Sequence, residues 1–214
     1  MQQPLQSMIS GQIMPNKVND PQVLEAFRTI PREVFVPKAL KEVAYVDGEL
    51  EVAPGRFILE PMVMARLVSI AKIEAEDVVL DVGCATGYSA AILSRLANVV
   101  VATEQDPELV EQATQNLANL EIENAAVIER TLCEGCLKQG PFNVIIIAGG
   151  VEEIPKGLTS QLAEGGRLVM VKLGNGIGRG HVITKTGNKL EGKDIFDAQA
   201  QLLPGFEKKK SFKF

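Results

Sequence analysis

"VVLDVGCATGYSAAILSRL", Val78 to Leu96, combines an apolar run that ends at Asp81, a short loop holding Gly83 and Gly87, and an apolar pattern of helical spacing. A strand that turns through glycines into a helix brings backbone N–H groups and a helix N-terminus to the carboxyl edge of a sheet. Open α/β sheets bind their ligands there. Gly83 and Gly87 supply the tight turn and a close approach of the ligand. Ala85 stands between them, and permits that approach only with a negative φ or some strain.

The sequence on either side extends the pattern. "DVVLDV" reads as a buried strand, "NVVVAT" (Asn98 to Thr103) as a second, "NAAVIE" (Asn124 to Glu129) as a third and "FNVIIIAGG" (Phe142 to Gly150) as a fourth. Asp106 and Pro107 cap a helix whose Leu109, Val110, Ala113 and Leu117 recur at helical spacing. Pro155 to Ala163 suggests another helix, and "GGRLVMVKL" a fifth strand. Beyond the glycine-rich "GNGIGRG", "HVITKT" and "LEGKDIFD" flank "GNK" as an antiparallel hairpin closing the sheet edge. The expected fold is α/β, Rossmann-like and doubly wound: a mostly parallel, seven-stranded sheet with helices on both faces. Before it lies an N-terminal helical extension. Asp20 and Pro21 open a helix through Phe27, Pro31 and Pro37 force an extended or turning path, and a second helix runs from Pro61 to Ile73. The expected organisation is one compact unit, with a substrate-side region over residues 1–75 and a core over 76–214. The "EKKKSFKF" tail reads as a solvated end.

Two carboxylates narrow the ligand. Asp81, at the mouth of the first core strand, repels a pyrophosphate but can pair with an ammonium group. Glu104 closes the next strand, where a carboxylate accepts from both hydroxyls of a ribose. A ligand with a ribose, an amino-acid moiety and no phosphates satisfies both, and S-adenosylmethionine is such a ligand. An NAD-type Rossmann domain is the main alternative, although it prefers G-x-G-x-x-G where this chain reads G-C-A-T-G-Y. A tight strand–helix connection with no ligand is the other. A P-loop is excluded, because no Gly-Lys-Ser/Thr follows.

The bulk properties set the frame. The 214 residues are 46% hydrophobic and 23% charged, with a net charge of −5, which argues against a general nucleic-acid binder. No stretch is long or apolar enough to span a membrane, and no secretory signal is evident. Three cysteines do not make a disulfide framework, so reduced thiols and a cytoplasmic location are expected.

"LDVGCATGYSAAIL", "VVATE", "PFNVIIIAGG" and "QLAEGGRLVMV" resemble the ordered motifs of class I S-adenosylmethionine-dependent methyltransferases. "VLEAFRTIPREVFVP", "AYVD", "EPMVMARLV" and "EEIPKGLTSQLAEGGRLV" are similar to protein-L-isoaspartate O-methyltransferases, over about Val23 to Val171. That family methylates the stray carboxylate of an isoaspartyl residue in protein repair. The resemblance implies cofactor contacts from Asp81, Gly83, Ala85, Gly87, Tyr88, Ser89, Glu104 and Gln105. Thr131 and Leu132 fall near the adenine, and Ile58, Leu59 and Glu60 on the substrate side. The implied acceptor is an isoaspartyl protein or peptide; a small molecule on the same scaffold, or a binding module without catalysis, are the alternatives.

The departures lie on the substrate side. The family's "T-I-S-Q-P" is "F-I-L-E-P" here, Phe57 to Pro61, so Leu59 replaces the functional serine and Glu60 the glutamine. The family's "G-D-G" falls on Arg130, Thr131 and Leu132, and the segment after Leu173 does not match the family's usual ending. No catalytic residue is expected in consequence. A carboxylate acceptor is already ionised at neutral pH and needs no general base.

Other chemistry-bearing residues read blandly. Cys133 and Cys136, with a single histidine at His181, make a poor zinc site, and no metal is expected. His181 reads as a strand or surface histidine, Met62 and Met64 as helix packing, and Glu152 and Glu153 as a solvated turn. Arg56 and Arg179 are conceivable carboxylate binders, although surface arginines are commoner.

Overall fold

The computed structural model describes residues 2–174 and 176–208. The chain begins with α1 (Gln2–Met8), which continues into a wider turn over Ile9–Ile13, and then forms α2 (Pro21–Thr29). The Asp20 carboxylate accepts the Gln22 N–H at 2.9 Å and Pro21 fills the first turn, as the sequence predicts. A short hairpin of β1 (Leu50–Ala53) and β2 (Arg56–Ile58) stands apart from the main sheet and leads into α3 (Pro61–Ala71). α1 and the hairpin have no counterpart in the sequence reading. "QQPLQSM" is glutamine-rich, and its order comes from burying Met8, Ile9 and Ile13 in the core shared with Met64 and Leu67.

The core alternates as expected. β3 (Val78–Val82), α4 (Tyr88–Ser94), β4 (Val99–Glu104), α5 (Pro107–Asn119) and β5 (Ala125–Glu129) build one half. The other half consists of β6 (Phe142–Val151), α6 (Lys156–Thr159), β7 (Leu162–Lys172), β8 (Arg179–Thr186) and β9 (Lys189–Asp197). The seven strands run in the order β5-β4-β3-β6-β7-β8-β9. The first five are parallel, and β8 and β9 add an antiparallel hairpin at the edge. The predicted helix over Pro155–Ala163 shrinks to the single turn of α6. Leu162 already pairs with Phe142, so strand pairing takes residues the sequence pattern had given to the helix.

Successive strand residues divide between two cores, which explains their continuous apolar character. Val79, Val144, Ile146 and Val169 face α3 and α4, while Leu80, Ile145, Ile147 and Leu168 face the opposite layer. That second layer holds α6, short turns around Leu132 and Cys136, and the C-terminal segment through Leu203 and Phe206. The crossovers leave β3 and β6 in opposite directions, so a crevice opens at their carboxyl ends. Among the described residues, no helix is long and apolar enough to cross a membrane. Of the "EKKKSFKF" tail, Glu207 and Lys208 are exposed, and Lys209 to Phe214 lie outside the described residues.

Candidate functional site

β3 and β4 set the floor of the crevice. The Gly83 N–H donates to the Thr103 carbonyl at 2.9 Å and the Gly87 N–H to the Cys84 carbonyl at 2.8 Å, closing the loop. Both glycines are left-handed, at φ +81° and +95°. A side chain at Gly87 would be strained by the left-handed φ, and its Cβ would crowd Ala113 of α5 at 3.2 Å. Ala85 takes the strained option, at φ +48°. Its N–H donates to Glu104 Oε2 at 2.9 Å, a bond that compensates the strain.

Asp81 is fully buried. Its Oδ2 accepts from the Ser89 hydroxyl at 2.6 Å, and its Oδ1 has no partner. Burial pushes its pKa up to about 7; the Ser89 bond and Arg56 oppose the shift, and the Glu104 charge adds to it. Glu104 is equally buried but has donors on both oxygens. Oε1 accepts from the N–H groups of Gln105 and Asp106, at 2.8 and 3.3 Å. Oε2 accepts from Ala85 and from Arg56 Nη2, the latter at 2.5 Å. Arg56 is thus no surface arginine. It is 4% exposed, reaches from β2 into the crevice, and leaves its own Nε unpartnered. Arg179, the other arginine considered, pairs with Asp197 on the outer hairpin.

The remaining expected residues divide. Asp81, Gly83, Ala85, Gly87, Ser89 and Glu104 converge on the crevice. Gln105 and Thr131 are exposed, and with Glu129, Arg130 and Glu134 they line an open cleft of about 300 Å³ beside it. Leu132 is buried in the layer below. Tyr88 lines a small cavity with Gly83, Cys84 and Ser89, and packs edge-on to Phe27 (centroids 6.4 Å apart) and against Phe35 (5.4 Å), with the Arg32 guanidinium 5.0 Å from its ring centre. Its hydroxyl has no hydrogen-bond partner.

On the substrate side, Ile58 and Leu59 are buried. The Leu59 carbonyl accepts from Arg32 Nη2 at 2.9 Å, and Arg32 Nε donates to the Ala44 carbonyl at 2.8 Å, so a buried arginine fixes this turn through backbone groups. Glu60 is half-buried at the start of α3. Burial first, and then the charge of Asp47, raise its pKa, against the pull of Arg32. Burial also raises that of Glu49, which accepts the Gln201 N–H. The carboxyl groups of Asp47, Glu49 and Glu60 therefore lie close enough to influence one another ahead of β1 and α3.

Two groups that cover the floor were not recognised in the sequence. Arg56 reads in the sequence as a conceivable carboxylate binder or a surface arginine, and the carboxylate it binds is the chain's own Glu104. Leu203 lies in "LLPGF", which has no periodicity to mark it. It packs over Gly83, where an added Cβ would lie 2.9 Å from its Cδ2, and over Gly149, at 3.0 Å. Gly149 and Gly150 were the available signal, since a glycine pair at the end of an apolar strand marks a close backbone approach. Set against S-adenosylmethionine, the chemistry of the floor fits: an unpartnered carboxylate oxygen for an ammonium, and a carboxylate for a diol. The space does not. There, two cavities of about 10 Å³ each remain, on either side of Phe57, and Arg56 and Leu203 lie over Gly83.

Elsewhere, Cys136 is buried and its N–H donates to Gln161 Oε1 at 2.9 Å; Cys133 is half-buried. Among the described residues, no group of three or more His, Cys, Asp and Glu side chains could hold a metal. His181 lies within β8, its Nδ1 2.5 Å from Asp194 Oδ1. Met64 is buried and Met62 packs beside it. Glu152 and Glu153 are exposed, but both N–H groups donate to the Phe206 carbonyl, so their turn anchors the C-terminal segment.

A family model described as protein-L-isoaspartate(D-aspartate) O-methyltransferase matches residues 4–198. A protein-L-isoaspartate O-methyltransferase 2 of Pelobacter propionicus is 37% identical over 163 residues, covering 76% of this chain and 72% of that protein. A solved protein-L-isoaspartate O-methyltransferase superposes with a TM-score of 0.82 at 26% identity, covering 94% of this chain and 66% of that one. A Plasmodium falciparum structure of that description, in complex with S-adenosyl-L-homocysteine, superposes with a TM-score of 0.75. At 18% identity, over 92% of this chain and 96% of that one, its likeness speaks for the fold.

Proposed function

The chain belongs to the protein-L-isoaspartate(D-aspartate) O-methyltransferase family of S-adenosylmethionine-dependent enzymes, and on that premise we propose that it methylates the free carboxylate of an isoaspartyl residue in a protein or peptide. The observation that carries this reading is the family match over residues 4–198, and the carboxylate-lined floor of the crevice at the β3/β6 switch point supports the methyl donor's place in it. There Asp81 offers an unpartnered oxygen and Glu104 closes the neighbouring strand.

The cofactor supplies an electrophilic methyl group, so the chain's own task is binding, alignment and exclusion of water. Asp81, held by Ser89, would take the ammonium. The Gly83–Gly87 loop would line the cofactor's path, Glu104 would accept from the ribose, and Gln105, Thr131 and Leu132 would flank the adenine. Residues 1–75 would form the acceptor side and the chain from residue 76 the donor core. The unpaired state of Cys84, Cys133 and Cys136 favours a reducing, cytoplasmic location.

A second reading, methyl transfer to a different acceptor, is favoured by the substrate side itself. Leu59 offers no hydroxyl, and Asp47, Glu49 and Glu60 oppose an anionic acceptor unless they are protonated. Labelled cofactor and an isoaspartyl peptide separate the two. A methyl ester that releases volatile labelled methanol in base is expected; its absence, with label instead in another acceptor, would establish the second reading.

A further inference from the structure

Arg56 and Leu203 share more than a position over the floor. Arg56 stands on a two-stranded hairpin outside the main sheet, and Leu203 on an irregular segment after β9. The two supports are tied together: the Gln201 N–H donates to both oxygens of Glu49, one residue before β1, at 3.2 and 3.1 Å. The segment is tied to β6 by a few backbone bonds. Gly150 N–H donates to the Gln201 carbonyl at 2.8 Å, and Leu203 N–H to the Gly150 carbonyl at 2.9 Å. Leu203 and Phe206 are its deepest side chains.

We propose that Arg56 and Leu203 form an internal plug, mutually exclusive with the methyl donor, which must be withdrawn before the donor binds. This rests on the reading that Glu104 and the glycine loop form the donor site. Three observations support it. First, the four donors on Glu104 leave little acceptor capacity for a diol, and the guanidinium is the one that can move without unmaking the loop. Second, the bare face of Gly83, where a ligand would come closest, is against Leu203, and Arg56 Nη2 is 3.3 Å from the same point. Third, beside the open cleft at Gln105 and Thr131, the crevice over the glycine loop keeps two cavities of about 10 Å³, with room for roughly a water molecule each, too little for the rest of the donor.

The plug is also suited to leaving. The segment adds no strand to the main sheet, and its backbone bonds to Gly150, Glu152 and Glu153 lie outside the strand ladders, so it can open without unmaking the sheet. The buried ion pair lacks a partner for Arg56 Nε, so its desolvation is incompletely repaid. The Glu49–Gln201 link makes the hairpin and the segment move together. Donor binding therefore carries the cost of opening, and the apparent affinity is reduced by the fraction of molecules that are open.

The test uses the full chain and S-adenosylhomocysteine. Calorimetry on wild type and Leu203→Ala is expected to show roughly tenfold tighter binding by the variant, because the open fraction rises. Equal or weaker binding by the variant, or no binding by either protein, would overturn the proposal. Amide hydrogen exchange on wild type is independent of any loss of stability in the variant. With S-adenosylhomocysteine, the Gly150 and Leu203 amides should exchange faster while those of Gly83 to Ser89 and Gln105 become protected. Protection of the loop with Gly150 and Leu203 unchanged would sink the plug but leave the donor site standing. A footprint elsewhere on the chain would sink the donor-site reading itself.

Discussion

The floor and the cover of the crevice meet at Glu104 but are built differently. The floor comes from residues close in sequence: strand, glycine turn, helix, strand, within Val78 to Asp106. The cover comes from two segments far apart, Arg56 on the β1–β2 hairpin and Leu203 near the C-terminal end of the described chain. Short-range pattern shaped the one; packing between remote parts shaped the other. The comparison teaches that a site's floor can be read from local pattern while its cover cannot, even though the family match over residues 4–198 includes the hairpin that carries Arg56.

The largest expected effect falls where the two meet. Glu104→Ala leaves Arg56 buried without its partner and is expected to cost about 3–5 kcal/mol of stability by urea denaturation. Adding Arg56→Met should recover most of that loss. A single variant of wild-type stability would mean that Arg56 is free to swing to solvent. Next comes Gly83→Val, which forces a β-branched residue to φ +81° and against Leu203. A cost of about 1–3 kcal/mol and loss of S-adenosylhomocysteine binding are expected, with unchanged affinity in calorimetry the adverse result.

Within the floor, Asp81 gives a pH signature. Its folded-state pKa, about 7, lies above the ordinary aspartate value of 3.8. The group's contribution to stability is thus complete below about 3.8 and is lost as pH rises toward 7, because the unfolded chain releases the proton first. Asp81→Asn should remove that slope in urea titrations between those pH values and leave the slope above them as in wild type. An unaltered slope would show that Asp81 ionises as it does in water. The smallest effect is local: Asp106→Ala removes the cap on Glu108 N–H and should cost about 1 kcal/mol, with donor affinity nearly unchanged.

The floor was legible because its signals are local. Asp20–Pro21 and Asp106–Pro107 announce helices wherever they occur, and "VVLDVG" carries its strand and turn together. Ala85 was legible as an alternative between a negative φ and strain, and the Glu104 bond to its N–H selects strain. The Pro155–Ala163 helix was overread, because parallel pairing with Phe142 outweighs a weak helical period. Arg56 and Leu203 were out of reach for a different reason. An arginine looks the same in sequence whether it faces water or a buried glutamate, and an aperiodic "LLPGF" does not say what it covers. Tyr88 shows the same limit from inside the loop, since its ring is held by Phe27, Phe35 and Arg32 from the N-terminal region.

The most direct measurement is a crystal structure of the full chain with S-adenosylhomocysteine. The Glu104 carboxylate should lie within hydrogen-bond distance of both ribose hydroxyls and Asp81 Oδ1 beside the ammonium, with Arg56 and Leu203 displaced from the loop. S-adenosylhomocysteine bound elsewhere, with the Arg56–Glu104 pair intact and Leu203 still over Gly83, would overturn both the site and its plug.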